Sequence, residues 1–205
     1  LHFLGDRLRI ASNDYLINSD NQLSLRKRDN FLLGSLKLTG VKRGEFSLQA
    51  TEETPGVQDI LLGIHNLYLE DYRSLGLPDV GGIFFGDIHY QRKGDLSQQP
   101  TISGDLSITD LHYEDKKLGH FTSSLFYEPR SGDSHYITGE IGYNGQPAMS
   151  IDGIYYPREK VSPLKGTLTL TSFPLELANP FLVENSTTLA GTADGSIRLS
   201  GKLTE

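Results

Sequence analysis

Four carboxylates, Asp105, Asp110, Glu114 and Asp115, fall within fifteen residues of one another and form the densest grouping of groups able to do acid–base work. A paired acid and base would give glycoside hydrolysis or proton transfer. The spacing argues against that. Asp105 alternates with Leu106 and Ile108 and so points away from them, toward water, while Glu114-Asp115-Lys116-Lys117 reads as a charged hairpin turn. The six histidines, His2, His65, His89, His112, His120 and His135, are scattered, and none stands at metal-ligand spacing to another. The chain has no cysteine, which removes thiolate catalysis, thiolate metal sites and a disulfide framework together. No G-x-S-x-G, H-E-x-x-H or G-x-x-x-x-G-K-[ST] pattern occurs. The sequence therefore leads to the expectation of a protein that is not an enzyme and carries no metal or cofactor.

A net charge of -7, with basic residues dispersed apart from Arg26-Lys27-Arg28, supplies no basic face to neutralise phosphates, so nucleic acid is not an expected partner. The basic triplet reads as a solvated turn. Asn185-Ser186-Thr187 has the form of a glycosylation sequon. Tyr113, Tyr127, Tyr143, Tyr155 and Tyr156 form a set that could stack on sugar rings.

The elements that must carry these residues have period two. Ile102, Gly104, Leu106, Ile108; Phe121, Ser123, Leu125, Tyr127; Ile137, Gly139, Ile141, Tyr143; Met149, Ile151, Gly153, Tyr155; and Leu164, Gly166, Leu168, Leu170 alternate with Ser, Thr, Asp, Glu and Lys. Turns such as Arg130-Ser131-Gly132-Asp133 and Tyr143-Asn144-Gly145-Gln146 supply the positive-φ positions of tight hairpins. The pattern predicts an all-β, elongated antiparallel meander of roughly a dozen strands. Leu32, Gly34, Leu36, Leu38 and Phe46, Leu48, Ala50 extend it, less clearly, toward the N-terminus. No apolar run reaches the roughly 18 residues of a membrane-spanning helix. The first residue is Leu1, and the last strand-like segment, Gly195 to Leu203, runs into Glu205. The chain is therefore expected to be a fragment of a longer one, with any signal or anchor outside it.

Leu67 to Leu77 and Phe173 to Val183 break the alternation with spacings of three and four, which predicts two short helices. Each precedes the same glycine pattern, since Val80-Gly81-Gly82-Ile83-Phe84-Phe85-Gly86-Asp87-Ile88 matches Leu189-Ala190-Gly191-Thr192-Ala193-Asp194-Gly195-Ser196-Ile197 in position. A unit of strand, short helix, glycine turn and strand thus occurs twice. Gly82, Gly86, Gly191 and Gly195 are expected at tight turns or close strand contacts. The reading divides the chain into residues 1–56, unassigned strands; 57–99, the first unit; and 100–205, the segment with the second.

Strands that are greasy on one side must be covered by helices, a second sheet or a ligand. Periodicity alone favours a closed β-sandwich. A resemblance shifts that balance. The segment Thr167-Leu168-Thr169-Leu170-Thr171-Ser172-Phe173-Pro174-Leu175-Glu176-Leu177-Ala178-Asn179-Pro180-Phe181, followed by Gly191-Thr192-Ala193-Asp194-Gly195-Ser196-Ile197-Arg198-Leu199-Ser200-Gly201, resembles the repeated element of the TamB family, related to AsmA-like proteins. Ile102-Ser103-Gly104-Asp105-Leu106-Ser107-Ile108 is similar to the family's strand pattern. The resemblance covers residues 100–203, more loosely 57–99, and matches no motif in the first 50. It implies a taco-like trough with an apolar interior, in a periplasmic protein of the cell envelope anchored to the inner membrane through a segment outside this chain. It also implies an Omp85-type outer-membrane partner, outer-membrane protein clients, and movement of phospholipids between membranes. On that expectation Leu106, Ile108, Phe121, Leu125, Ile137, Ile141, Met149, Ile151, Leu168, Leu170, Ile197 and Leu199 face the trough and hold phospholipid acyl chains. The rival expectations are a scaffold that templates client strands through an edge strand without carrying lipid, and a carbohydrate-binding β protein using the tyrosines.

Overall fold

A computed structural model describes residues 5–76, 79–159, 161–182 and 188–201. The sequon Asn185-Ser186-Thr187, the ends Leu77 and Val183 of the two expected helices, and His2, Leu203 and Glu205 lie outside the described residues. The strands are β1 (Arg7–Ile10), β2 (Asn13–Ile17), β3 (Gln22–Arg26), β4 (Phe31–Gly40), β5 (Glu45–Thr51), β6 (Val57–Tyr68), β7 (Val80–Lys93), β8 (Thr101–Tyr113), β9 (Lys116–Arg130), β10 (Ser134–Tyr143), β11 (Gln146–Tyr155), β12 (Leu164–Pro174) and β13 (Thr192–Gly201). All thirteen belong to one antiparallel sheet, in sequence order from β4 to β13. At its start β2 and β3 both pair with β4, side by side along the same edge, because the chain leaves the ladder at Asn18 and rejoins it at Gln22. The excursion is stitched down by Asn18, whose side-chain oxygen accepts from the Lys37 N–H at 2.8 Å.

Tight turns fix this order. The two-residue turns Glu114–Asp115 and Asn144–Gly145 are entered through left-handed residues, Glu114 at φ 52° and Asn144 at φ 48° with Gly145 at φ 81°, whose twist matches that of the flanking strands. The two helical segments are shorter than their spacing predicts. They are single 3-10 helices, Leu69–Leu75 and Leu175–Phe181, because β6 and β12 run on to Tyr68 and Pro174 before the chain turns. Just upstream, Asn66 (φ 53°) and Ser172 (φ 45°) each insert a bulge that shifts the register and bends the strand end into the helix.

The sheet is open and curved, neither a closed barrel nor a sandwich. Among the described residues, substantial contacts between elements run only between hydrogen-bonded neighbours and between β7 and the first helix. The chain exposes 13087 Å² of surface. A compact monomer of 22.7 kDa would expose about 9,500 Å², so a second covering layer is missing over a large area. The periodicity argument for a sandwich fails here because alternation specifies that one face is apolar without specifying what covers it.

Candidate functional site: the uncovered apolar face

Register places every expected trough residue on one face. Residues directly opposite in an antiparallel pair share a face, and the pairings form rows across the sheet. Leu106, Ser123, Ile141, Met149 and Leu170 make one row; Gly104, Leu125, Gly139, Ile151, Leu168 and Ile197 make the next. Ile108 and Phe121 lie above these rows, and Ile137 and Leu199 below. All twelve therefore point the same way. The other face carries Asp105, Ser107, Thr122, Ser124, Thr138, Glu140, Ser150 and Asp152, with His65 bound to Asp87 and His89 to Asp59, each at 2.9 Å.

The apolar face is not uniform along the sheet. From β2 to β7 it is rolled tightly on itself. Gln58 of β6 reaches past the end of β5 to the main chain of β4, accepting from the Leu32 N–H at 2.5 Å and donating to the Leu32 carbonyl at 2.7 Å. Arg92 of β7 donates to the Asp29 and Asn30 carbonyls in the β3–β4 turn. Phe31 is sealed between them with the Arg26 and Arg92 guanidiniums over its ring at 5.0 and 5.4 Å. At the opposite strand ends the first 3-10 helix closes the roll: Tyr72 is buried and hydrogen-bonds the Tyr15 hydroxyl, and Tyr15 packs edge-on against Phe46. Arg43 holds that helix by a bidentate pair to Asp71 at 2.7 and 2.8 Å, lies 3.6 Å from the Tyr68 ring centre, and keeps the Asp71 carboxyl below its usual range. Burial pushes the Tyr72 hydroxyl upward, with the Tyr15 hydrogen bond adding to the shift.

From β8 to β13 the same face is open. None of the twelve residues is fully buried; Leu125 is 44% and Ile197 51% exposed. A shallow cavity of about 270 Å³ lies there among Leu125, Gly139, Ile141, Met149, Ile151 and Leu168, five of which are expected lining residues. A larger concavity, about 710 Å³, is walled by Asp87, Asp105, Ser107, Thr122, Ser124 and Glu140 of the polar face and is also lined by Leu106, Ile141 and Met149.

The four carboxylates are not brought to one place. Asp105 sits in mid-strand opposite Asp87 and Ser124, whereas Asp110, Glu114 and Asp115 line a rim cavity of about 570 Å³ with Arg73, His112 and Lys117. The tyrosines do not form an exposed row either. Tyr127 hydrogen-bonds His135, Tyr155 packs edge-on against the same ring, Tyr143 packs on Phe121 at the other strand end, and Tyr156 lies under Lys165.

Sequence reasoning missed the residues that close the first half: Tyr15, Phe31, Gln58, Tyr72 and Arg92. Gln58 and Arg92 had a legible signal, being polar residues at positions whose alternation assigns them to the apolar face, paired with each other across β6 and β7. Such a violation marks a contact beyond the sheet's own ladder.

The repeat is real in three dimensions. Ile64 faces Gly86 and Leu67 faces Phe84 in the first unit; Leu170 faces Gly195 and Phe173 faces Ala193 in the second. The first glutamate of each 3-10 helix, Glu70 and Glu176, accepts from the N–H of the matched glycine, Gly82 at 3.3 Å and Gly191 at 2.8 Å. From helix end to matched glycine, Leu75 to Gly82 against Phe181 to Gly191, the second unit is three residues longer. Tyr72, which plugs the first unit, corresponds to Ala178 in the second. The chain matches no protein-family model, no curated protein and no solved structure.

Proposed function

We propose that this chain is a periplasmic segment of a TamB/AsmA-like envelope protein whose open apolar face, from β8 to β13, binds phospholipid acyl chains in transit between membranes. The observation that supports this most is a six-stranded apolar surface left uncovered in a folded sheet. Contiguous exposed apolar area on a folded domain marks an interaction site. A face of aliphatic side chains interleaved with glycine has few polar anchors, which suits a flexible hydrocarbon held by burial at about 0.8 kcal/mol per methylene. The rolled half acts as a closed end: Phe31 and the Tyr15–Tyr72 pair fill the space an acyl chain would need. Lipid is therefore confined to the C-terminal half. An inner-membrane anchor outside the chain, an Omp85-type partner and outer-membrane protein clients belong to the same proposal.

The test is native mass spectrometry of the purified chain for copurified phospholipid, joined to photocrosslinking from vesicles of phosphatidylethanolamine bearing a diazirine on one acyl chain. The reading requires crosslinks on Ile141, Met149, Ile151 or Leu168 and none on Leu38 or Ala50. Protein free of lipid, with crosslinks absent or spread over both faces, would overturn it.

A further inference from the structure

The two strand ends of the open face differ. Toward the start of β8 and the end of β9 the face finishes on rings: His135 is buried, hydrogen-bonds Tyr127 and meets Tyr155 edge-on at 5.9 Å. Toward the end of β8 it passes from Ile108 opposite Phe121 to the next pair of the ladder, Leu111 opposite Gly119, and these last two residues line the rim cavity of about 570 Å³. The cavity opens because β8 slips register twice here, between Ile108 and Leu111 and between Leu111 and His112, with Asp110 left-handed at φ 51°. Its far wall comes from Arg73 of the first helix and from Asp79, whose carbonyl accepts from the Glu114 N–H at 2.7 Å.

Charge around this cavity is mixed and incompletely paired. Arg73 and Asp79 form an ion pair with each other. His112 is committed, donating from Nδ1 to the Asp110 carbonyl at 3.1 Å with its ring against Gly81. Asp110, Glu114 and Asp115 are exposed and form no ion pair among the described residues, and neither does Lys117. Three carboxylates thus share the cavity with one free ammonium. Among the described residues no three His, Asp or Glu side chains converge closely enough to hold a metal ion. The wall therefore suits a ligand that brings its own cation and, beside it, an anion for Lys117, and it repels a ligand that is purely anionic.

We infer that this cavity seats the headgroup of a zwitterionic, ethanolamine-type phospholipid. The ammonium lies toward Asp110, Glu114 and Asp115 and the phosphate toward Lys117, while the acyl chains run down the open face toward Tyr127 and His135. The inference rests on the lipid reading above and adds to it an orientation and a choice of headgroup. An amphiphile has one polar end, and the described residues place the charged cavity at one end of this face and a cluster of rings at the other. Between them, Phe121 to Tyr127 spans about 20 Å of strand, room for a long hydrocarbon chain.

The probe is vesicles holding equal amounts of phosphatidylethanolamine and phosphatidylglycerol with identical acyl chains, incubated with lipid-stripped protein, and the bound lipid is counted by native mass spectrometry. Phosphatidylethanolamine should be enriched about threefold to tenfold, the range that a few exposed charges supply. The enrichment should vanish in about 1 M salt, where the screening length is about 3 Å. Asp110→Asn combined with Asp115→Asn changes charge without changing shape and should bring the ratio to about one, and Lys117→Gln should lower phosphatidylethanolamine retention about threefold. Both variants should melt as cooperatively as the parent. A second arm titrates water-soluble glycerophosphoethanolamine and follows the amide resonances of residues 111–119, which should shift in the parent and stay in place in the double variant. Equal uptake of the two lipids, or an enrichment that survives in the folded double variant, overturns the headgroup site and leaves the acyl-chain reading standing. Amide shifts with the soluble probe while neither lipid binds would assign the cavity to a free zwitterion, overturning this inference together with the lipid reading.

Discussion

Replacing Ile141 by aspartate and Leu38 by aspartate tests whether the apolar face is open in one half and closed in the other. Both side chains point to the same face, but Leu38 is 7% exposed inside the rolled half and Ile141 is half-buried beside the shallow apolar cavity. Fully burying an isoleucine side chain is worth about 1.5–3 kcal/mol, so half burial puts about 1–1.5 kcal/mol at stake. Aspartate adds up to about 1 kcal/mol through poor strand propensity, and its charge stays hydrated. At about 2–4 °C per kcal/mol for a chain of this size, Ile141→Asp should melt about 2–10 °C below the parent. Truncating Leu38 alone would cost about 2–5 kcal/mol, and an unpaired buried carboxylate adds several more. That total rivals the roughly 5–15 kcal/mol that holds a domain folded. Leu38→Asp should therefore be unfolded at room temperature by circular dichroism, while Ile141→Asp folds and loses acyl-chain crosslinking. An Ile141→Asp protein that is as unfolded as Leu38→Asp would show the C-terminal half to be sealed, and the argument for an open face would fall.

Three further outcomes follow from the closed half and the repeat. Gln58→Ala leaves the part-buried N–H and carbonyl of Leu32 without their side-chain partner and should cost about 1–3 kcal/mol, read in denaturant melts, with crosslinking from β10 and β11 unchanged. Ala178→Tyr gives the second 3-10 helix the side chain that plugs the first unit, so lipid occupancy by native mass spectrometry should fall while the melting temperature holds or rises. Asp71, Asp29 and Glu52 all titrate below their ordinary values, Asp71 through Arg43 and the other two through Arg26. Each thus stabilises the fold fully above about pH 4.5, and that contribution is lost as the pH falls through the depressed values. Hydrogen exchange at about pH 3 should show the first helix and the β3–β4 turn loosening before β8 to β12, and Arg43→Met should abolish the pH dependence at the helix alone.

By itself the sequence determined the class of fold and the sidedness of every strand from β8 onward. Period two is a local property, set residue by residue where the side chain alternates about an extended backbone, so Leu106, Ile141 and Leu168 could be put on one face without knowing their neighbours. The tight turns were legible for the same reason, and so was the repeat, because Gly82, Gly191 and Gly195 take positive φ and Gly86 meets a close strand. Three things were decided only by the tertiary structure. Whether the apolar face is covered depends on curvature accumulated over thirteen strands, which no window of residues contains. The closing of the first half depends on Gln58 meeting Leu32 and Tyr72 meeting Tyr15, contacts between residues 26 and 57 positions apart. The helices came out as single 3-10 helices because β6 and β12 keep their ladder partners to Tyr68 and Pro174, and pairing across the sheet outweighed a spacing of three and four along the chain.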